Sequence, residues 1–388
     1  MRIGQFSDSL PPIINGVSAF VAEHHSQLLA QGHDAHAFTF GYTRTKDTQP
    51  NIWRTPGLPI FASGFRMGLG LNTRSHRAAN QIEVYHAHEP FFAGLQALRY
   101  AKWHRRPLVF TNHTRHDIYL RNYPRVTLPL SQHYIFGFII TAIKNSLITT
   151  APSEETAQWL RALAPDSAHK VRVVRNGIRL DQFEDASDCE ARDGLGINCD
   201  STVFMYVGRL TPEKNLSAFA DALTRAVHSG ADAHWVIIGD GPCRDDLVER
   251  LASVPDRAHF LGAVPRERVS RLLAMADVFA TPSLSEVNPV SVIEALASSK
   301  PYLGMQAAWW DEFSVASHNG TPPPGWLARD DADLTQAVID MSGNVPKRRA
   351  MAVEARKLSH RFDIRHITAQ WIEIYREAII AAGNLMSR

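Results

Sequence analysis

The chain has 388 residues and a net charge of +2, long enough for two domains that each bury a core. Its three cysteines, Cys189, Cys199 and Cys243, match no zinc or disulfide framework, which excludes a stapled small domain and reads as reduced thiols in the cytoplasm. The charge is uneven: residues 1–180 hold 20 Lys and Arg against 10 Asp and Glu, and the excess of acid lies beyond them.

The chain opens with a strand, Met1 to Phe6, and lacks the charged start and sustained apolar core of an export signal. A helix from Val17 to Gln31, stopped by Gly32, precedes strands at Ala35 to Thr39, Val84 to Ala87, Leu108 to Thr111, Ser146 to Thr150 and Lys170 to Arg175. Short strands separated by helices predict a parallel, doubly wound α/β sheet. The longest apolar run, Tyr134 to Ile143, is too short to span a bilayer and predicts a buried helix. Residues 181–200, rich in Asp and Glu, predict a linker.

A second βα series follows. Its strands are expected at Val203 to Val207, Trp235 to Gly239, His259 to Leu261, Val278 to Thr281 and Tyr302 to Met305. Its helices are expected at Leu216 to His228, Arg244 to Ser253, Arg266 to Met275 and Pro289 to Ser298, with no internal repeat. PPPGW, around Gly325, predicts a surface turn, and residues 346–382 are helical.

The chemistry concentrates where strands end. Glu286 and Glu294 stand seven residues apart in SLSEVNPVSVIEALASSKP, and Arg209 and Lys214 lie in VGRLTPEKN after the strand VFMYV. Open α/β sheets bind ligands at such ends, and acids that accept from hydroxyls beside cations that hold a diphosphate describe a nucleotide-sugar site. Asn288 and Pro289 read as the cap and first residue of a helix that carries Glu294 in its second turn. Gly239 opens a lone Gly-x-Gly, too weak a signal for a nicotinamide dinucleotide, and no metal-ligand spacing occurs among the histidines. Asp331 and Asp333 read as a capping turn.

VGRLTPEKN, VIIGDGPCRDDL, FLGAVPRERVSRLLAMADVFATPSLSE and the Glu pair, after INGVSAFVAEHHSQLLAQGHDAHAF, HAHEP, FTNHT and VVRNGIRLDQF, resemble a retaining glycosyltransferase of family 4. The resemblance runs over nearly the whole chain. It implies the GT-B fold: an acceptor-binding Rossmann-like domain at 1–180 facing a nucleotide-sugar domain at 201–360 across a cleft, with a closing helix at 361–388 returning to the first domain. It further implies that Arg209 and Lys214 hold the donor diphosphate, that Glu286 touches the donor sugar and Glu294 the ribose, and that His113 is an active-site histidine. Gly208, Gly239, Val264 and Asn288 then border the donor, and Gly16 at a helix start faces phosphate or acceptor. His88 and Glu89, with Arg115 to Tyr119, are further candidates on the acceptor side. Val287-Asn288-Pro289 departs from the Gly-rich stretch usual in the family, and Pro289 has no N–H to give a sugar hydroxyl.

No cofactor is expected beyond the nucleotide sugar as co-substrate, UDP-sugar by preference, and no metal. The resemblance extends to bacterial enzymes that glycosylate diacylglycerol-type lipids, which implies a lipid acceptor. A soluble or polysaccharide acceptor, or a nucleotide-sugar-binding protein without turnover, remain the alternatives. No nucleic-acid module occurs, so the basic first half points to an anionic membrane, reached from the cytoplasmic face as a peripheral protein. Arg66, Trp103, Arg105 and Arg106, with Phe61 and Phe65, mix cations and aromatics as interfacial segments do.

Overall fold

The computed structural model describes residues 1–13, 15–41, 45–59, 66–118, 129–183, 190–313 and 321–386. Phe61, Phe65, Tyr119, Tyr123 and Cys189 lie outside these. The chain forms two compact units, unit 1 of Met1–Gly177 with Ile364–Arg388, and unit 2 of Ile178–Asp363.

Unit 1 is a seven-stranded parallel sheet in the order β3-β2-β1-β6-β7-β8-β9. The strands are β1 (Arg2–Phe6), β2 (Asp34–Phe40), β3 (Ile52–Thr55), β6 (Val84–Ala87), β7 (Leu108–Thr111), β8 (Ile148–Ala151) and β9 (Val171–Val173). A two-residue pair, β4 (Leu58–Pro59) and β5 (Arg66–Met67), stands outside it. Strands buried on both faces read as largely apolar runs, as in LVFT, and the two threonines of ITTA bond their hydroxyls to Ser146 and Thr111. The edge strand β3 has no such run and was not legible. The final helix, Ile364–Met386, packs on the first helix, Gly16–Ala30, through Trp371, Ile374 and Tyr375, all buried. The apolar run at Tyr134 lies in the helix Pro129–Asn145, where Ile139 and Ile143 are buried. Tyr134 and Phe138 are exposed, so the expectation of a buried helix holds for one face alone.

Unit 2 is a six-stranded parallel sheet in the order β12-β11-β10-β13-β14-β15. Its strands are β10 (Thr202–Val207), β11 (Ala233–Ile238), β12 (Ala258–Gly262), β13 (Val278–Thr281), β14 (Tyr302–Met305) and β15 (Gly325–Ala328). The last of these corrects the surface turn expected at PPPGW. There Gly325 pairs with Tyr302, and a Cβ on it would sit 2.3 Å from the Tyr302 carbonyl oxygen, so glycine lets this strand close on the sheet. The stretch expected as a linker belongs to unit 2. Arg192 within it is buried, donating to the Met275 and Ser201 carbonyls and pairing with Asp277 at 3.0 Å. One buried cation satisfied on all sides anchors a segment whose composition reads as solvated. Cys243 is free as expected, but Cys199 is disulfide-bonded. Spacing along the sequence does not show which loops fold together.

Candidate active site

In unit 2 the chain leaves β10 toward β11 on one side and returns to β13 on the other, so the two loops after β10 and β13 diverge at the topological switch point. Arg209 and Lys214 occupy the first loop and Glu286 the second. Lys214 Nζ lies 2.6 Å from Glu286 Oε1, with both side chains about 15% exposed. Arg209 is 62% exposed, with Glu213 3.5 Å from its guanidinium. Lys214 is thus a largely covered, paired cation.

Three contacts that the motifs do not announce hold this geometry. Buried Tyr206 donates its hydroxyl to the Arg209 carbonyl at 2.9 Å, and burial raises its pKa well above that of a free phenol. Asn215, in the left-handed region at φ 53°, donates to the Pro282 carbonyl at 3.3 Å and so joins the two loops. Trp309 Nε1 donates to the Ser283 carbonyl at 3.0 Å, tying in the loop after β14. The Tyr at a strand end was the one sequence signal available for any of them.

Gly208 and Gly239 pack against each other. Gly239 has φ 136°, and a Cβ there would lie 1.8 Å from the Gly208 carbonyl oxygen. A Cβ on Gly208 would in turn meet the Tyr206 hydroxyl at 2.6 Å, so neither position has room for a side chain. Val264 is half-buried after β12 and packs on the unit 2 core. Asn288 is buried just ahead of the helix Val290–Ala297. The cap of that helix is Pro289 rather than Asn288: the Pro289 carbonyl accepts from Val292 N and Ile293 N, and its ring already fixes φ at −71°. Glu294 sits in the second turn as expected, and it is buried. Asp330 caps the helix Asp331–Gly343 by accepting from Asp333 N, which confirms the Asp-x-Asp as a capping turn.

In unit 1 the switch point falls between β1 and β6. His113, half-buried in the loop after β7, has Nε2 3.1 Å from His88 Nδ1, and His88 Nε2 lies 3.2 Å from Gln5 Oε1. His86 bridges the Tyr375 hydroxyl at 2.8 Å and Thr111 Oγ1 at 2.7 Å, and the same hydroxyl meets His24 Nε2 at 3.0 Å. Burial lowers every one of these histidines: His24 and His113 to about 3, His86 and His88 well below the usual value. All four are neutral at working pH.

Glu89 accepts from Ser7 Oγ, Asp8 N and Ser9 Oγ at 2.8 to 2.9 Å, so it holds the loop after β1. Asp8, buried beside it, accepts from Ala93 N at 2.8 Å, and burial followed by the charge of Glu89 raises its carboxyl well above the usual range. Gly16 is exposed at the start of its helix, capped by Asn15, whose side chain accepts from Ser18 N at 2.7 Å. Arg115 is clamped by Asp117 and Glu155 and so committed to structure. Gln5, His86, His24 and Tyr375 went unnoticed in the sequence because their partners lie up to 351 residues apart.

Trp103 is 62% exposed on the helix Phe92–His104 with the Arg99 guanidinium 5.6 Å over its ring, and Arg105 and Arg106 follow, exposed. Arg66 instead donates to the Gly57 carbonyl at 2.8 Å. No helix among the described residues is long and apolar enough to cross a membrane.

The family model for Glycosyltransferase Family 4 matches residues 14–182, and that for Glycosyl transferases group 1 matches residues 201–344. The chain belongs with the family 4-like glycosyltransferases of GT-B fold, as a hexosyltransferase that resembles lipid glycosyltransferases. It is 28% identical over 336 residues to the alpha-monoglucosyldiacylglycerol synthase of Acholeplasma laidlawii, covering 82% of this chain and 84% of that one. To the enzyme of the same name from Streptococcus pneumoniae it is 28% identical over 78% of this chain and 70% of that one. Among solved structures, Anabaena HepE in complex with UDP superposes with TM-score 0.75 over 97% of this chain and all of that one, at 18% identity, a likeness of fold.

Proposed function

We propose that the protein transfers a hexosyl group from a UDP-sugar to a membrane lipid acceptor, with retention of anomeric configuration. The observation that carries this reading is the Lys214–Glu286 contact at the unit 2 switch point, with exposed Arg209 on the same loop as Lys214. In the free protein the cation and carboxylate satisfy each other. When the donor binds, Lys214 and Arg209 would turn to the diphosphate and Glu286 would accept from a sugar hydroxyl, so the site exchanges one ion pair for two charged contacts with the ligand.

Glu294 would accept from the ribose, and the backbone at Gly208 and Gly239, with Val264, would border the nucleoside. Asn288 would meet the sugar, and Gly16 the phosphates or acceptor. The leaving phosphate oxygen would take the acceptor's proton as the acceptor attacks the face the diphosphate leaves. Most of the catalysis is then positioning and neutralisation. His113 would orient a hydroxyl. The protein's own cations would serve the diphosphate without a metal, so transfer should survive EDTA. Loss in EDTA that Mg²⁺ restores would sink that part of the assignment.

A UDP-sugar donor is supported by the UDP bound to HepE, whose fold this chain shares, and the lipid acceptor by the two synthases named for diacylglycerol. Trp103, Arg105 and Arg106 would bring the protein to the anionic inner face of the cytoplasmic membrane. A donor-by-acceptor screen, with product mass and anomeric configuration read by mass spectrometry and NMR, tests the whole. Transfer to diacylglycerol or a glycolipid is expected, and exclusive use of a soluble acceptor would overturn it.

A further inference from the structure

His113 is held by a chain of hydrogen bonds in which each proton fixes the next. Gln5 is fully buried on β1, and its Oε1, an oxygen without a proton, lies 3.2 Å from His88 Nε2. With the Gln5 amide oxygen turned to the ring, and its buried Nε2 without a partner among the described residues, His88 Nε2 carries the proton and donates it. A neutral imidazole has one N–H, so His88 Nδ1 is left with a lone pair. His113 Nε2, 3.1 Å from that lone pair, must then be the donor, and His113 Nδ1 is unprotonated. His86 does not compete for these bonds, because both its nitrogens are engaged by Tyr375 and Thr111. Phe20, with its ring centroid 5.2 Å from that of His113, and His88, stacked at 5.4 Å, hold the ring's place.

We propose that Gln5 and His88 are positioning residues that fix His113 as the Nε2–H tautomer, so that Nδ1 meets a substrate hydroxyl as a hydrogen-bond acceptor. This rests on the reading of unit 1 as a hydroxyl-handling half of a glycosyltransferase. His113 Nδ1 enters no bond among the described residues and the residue is half-buried, so a ligand can reach it. The burial that keeps His88 and His113 neutral also keeps the proton count at one per ring. An orienting partner that selects the tautomer of a catalytic imidazole is worth orders of magnitude in rate elsewhere.

Long-range ¹H–¹⁵N correlation on histidine-labelled, ligand-free protein at neutral pH, assigned with His113→Gln and His88→Phe, reads the tautomers directly. The expected result is Nε2–H on both His88 and His113, and an Nδ1–H signal for His113 would overturn the proposal. In His88→Phe, His113 should populate both tautomers, and kcat should fall about tenfold or more while the donor KM stays within about twofold. His88→Asn, whose amide oxygen can accept from His113, should restore the single tautomer and part of kcat. Unchanged kcat in His88→Phe would also overturn the proposal. If no acceptor is glycosylated at all, the functional reading fails, while the tautomer in the free protein still decides this one.

Discussion

At the carboxyl edge of the unit 2 sheet the candidate side chains are charged: Arg209 is largely in solvent, and Lys214 and Glu286 pair with each other in the two loops, mostly covered. At the same edge of unit 1 they are neutral imidazoles: His24, His86 and His88 are buried, with Tyr375 and Trp371 of the final helix against His86, and His113 is half-buried. A diphosphate needs full charges that solvation tolerates near the surface. Orienting a hydroxyl needs a fixed pattern of donors and acceptors, and a low-dielectric interior holds that pattern only when nearly every atom in it is bonded.

The comparison breaks most visibly if the charged site is not the centre of the chemistry. Lys214→Ala and Arg209→Ala should each reduce kcat on the order of a hundredfold or more, about 3 to 4 kcal/mol of barrier, with unfolding midpoints little changed. Because Lys214 and Glu286 touch, Lys214→Met and Glu286→Gln should be non-additive in a double-mutant cycle. Wild-type turnover in either alanine variant, or simple additivity in the cycle, would move the site elsewhere. Glu294→Gln should raise the donor KM and spare kcat more than Glu286→Gln does.

Unit 1 should be the acid-sensitive half. His24 and His113 titrate near 3 when folded, against about 6.5 when unfolded, so the unfolded chain binds the extra protons between those values. Stability contributed by the neutral rings is complete above pH 6.5 and is lost as pH falls toward 3. At pH 5 each of the two costs about 2 kcal/mol. Hydrogen exchange between pH 7 and pH 5, corrected for intrinsic rates, should show protection lost first in the helices Gly16–Ala30 and Ile364–Met386. Equal loss in the helix Leu216–His228 of unit 2 would erase the contrast.

How far the sequence reached follows the same division. The parallel sheets were legible because strands covered on both faces are mostly apolar and alternate with helical segments, and the charged loops because Arg209, Lys214, Glu286 and Glu294 lie in contiguous motifs. What was missed depends on contacts remote in sequence. Gln5 in RIGQF, Tyr375 in the last helix and Arg192 in an acidic stretch look like ordinary polar residues until folding gives them buried partners. Gly325 followed three prolines and read as a turn, since only the approach of the Tyr302 backbone explains a glycine in a strand.

Tyr375→Phe sharpens the contrast at a smaller scale. The hydroxyl serves both His86 Nδ1 and His24 Nε2, so its removal leaves two buried nitrogens short of a partner without making a large cavity. The expected cost is about 1 to 3 kcal/mol in chemical unfolding, with UDP affinity in calorimetry unchanged. A loss of UDP affinity without a loss of stability would mean that the histidine set takes part in donor binding itself.

The smallest effect expected belongs to the exposed charges of unit 1. Arg105 stands in the left-handed region at φ 51°, past the end of the helix that carries Trp103, and Arg106 follows it. An asparagine tolerates that conformation better than most residues, so Arg105→Asn removes charge with little backbone strain. Each basic residue near an anionic surface contributes about 1 kcal/mol, so Arg105→Asn and Arg106→Gln should each weaken binding to vesicles containing anionic lipid about fivefold. Salt should weaken wild-type binding in the same direction, because screening acts over about 8 Å at physiological ionic strength. UDP affinity should stay at the wild-type value in both variants, since neither residue belongs to unit 2. Vesicle flotation indifferent to salt, to anionic lipid and to both substitutions would remove the membrane from the account and put a soluble acceptor in its place.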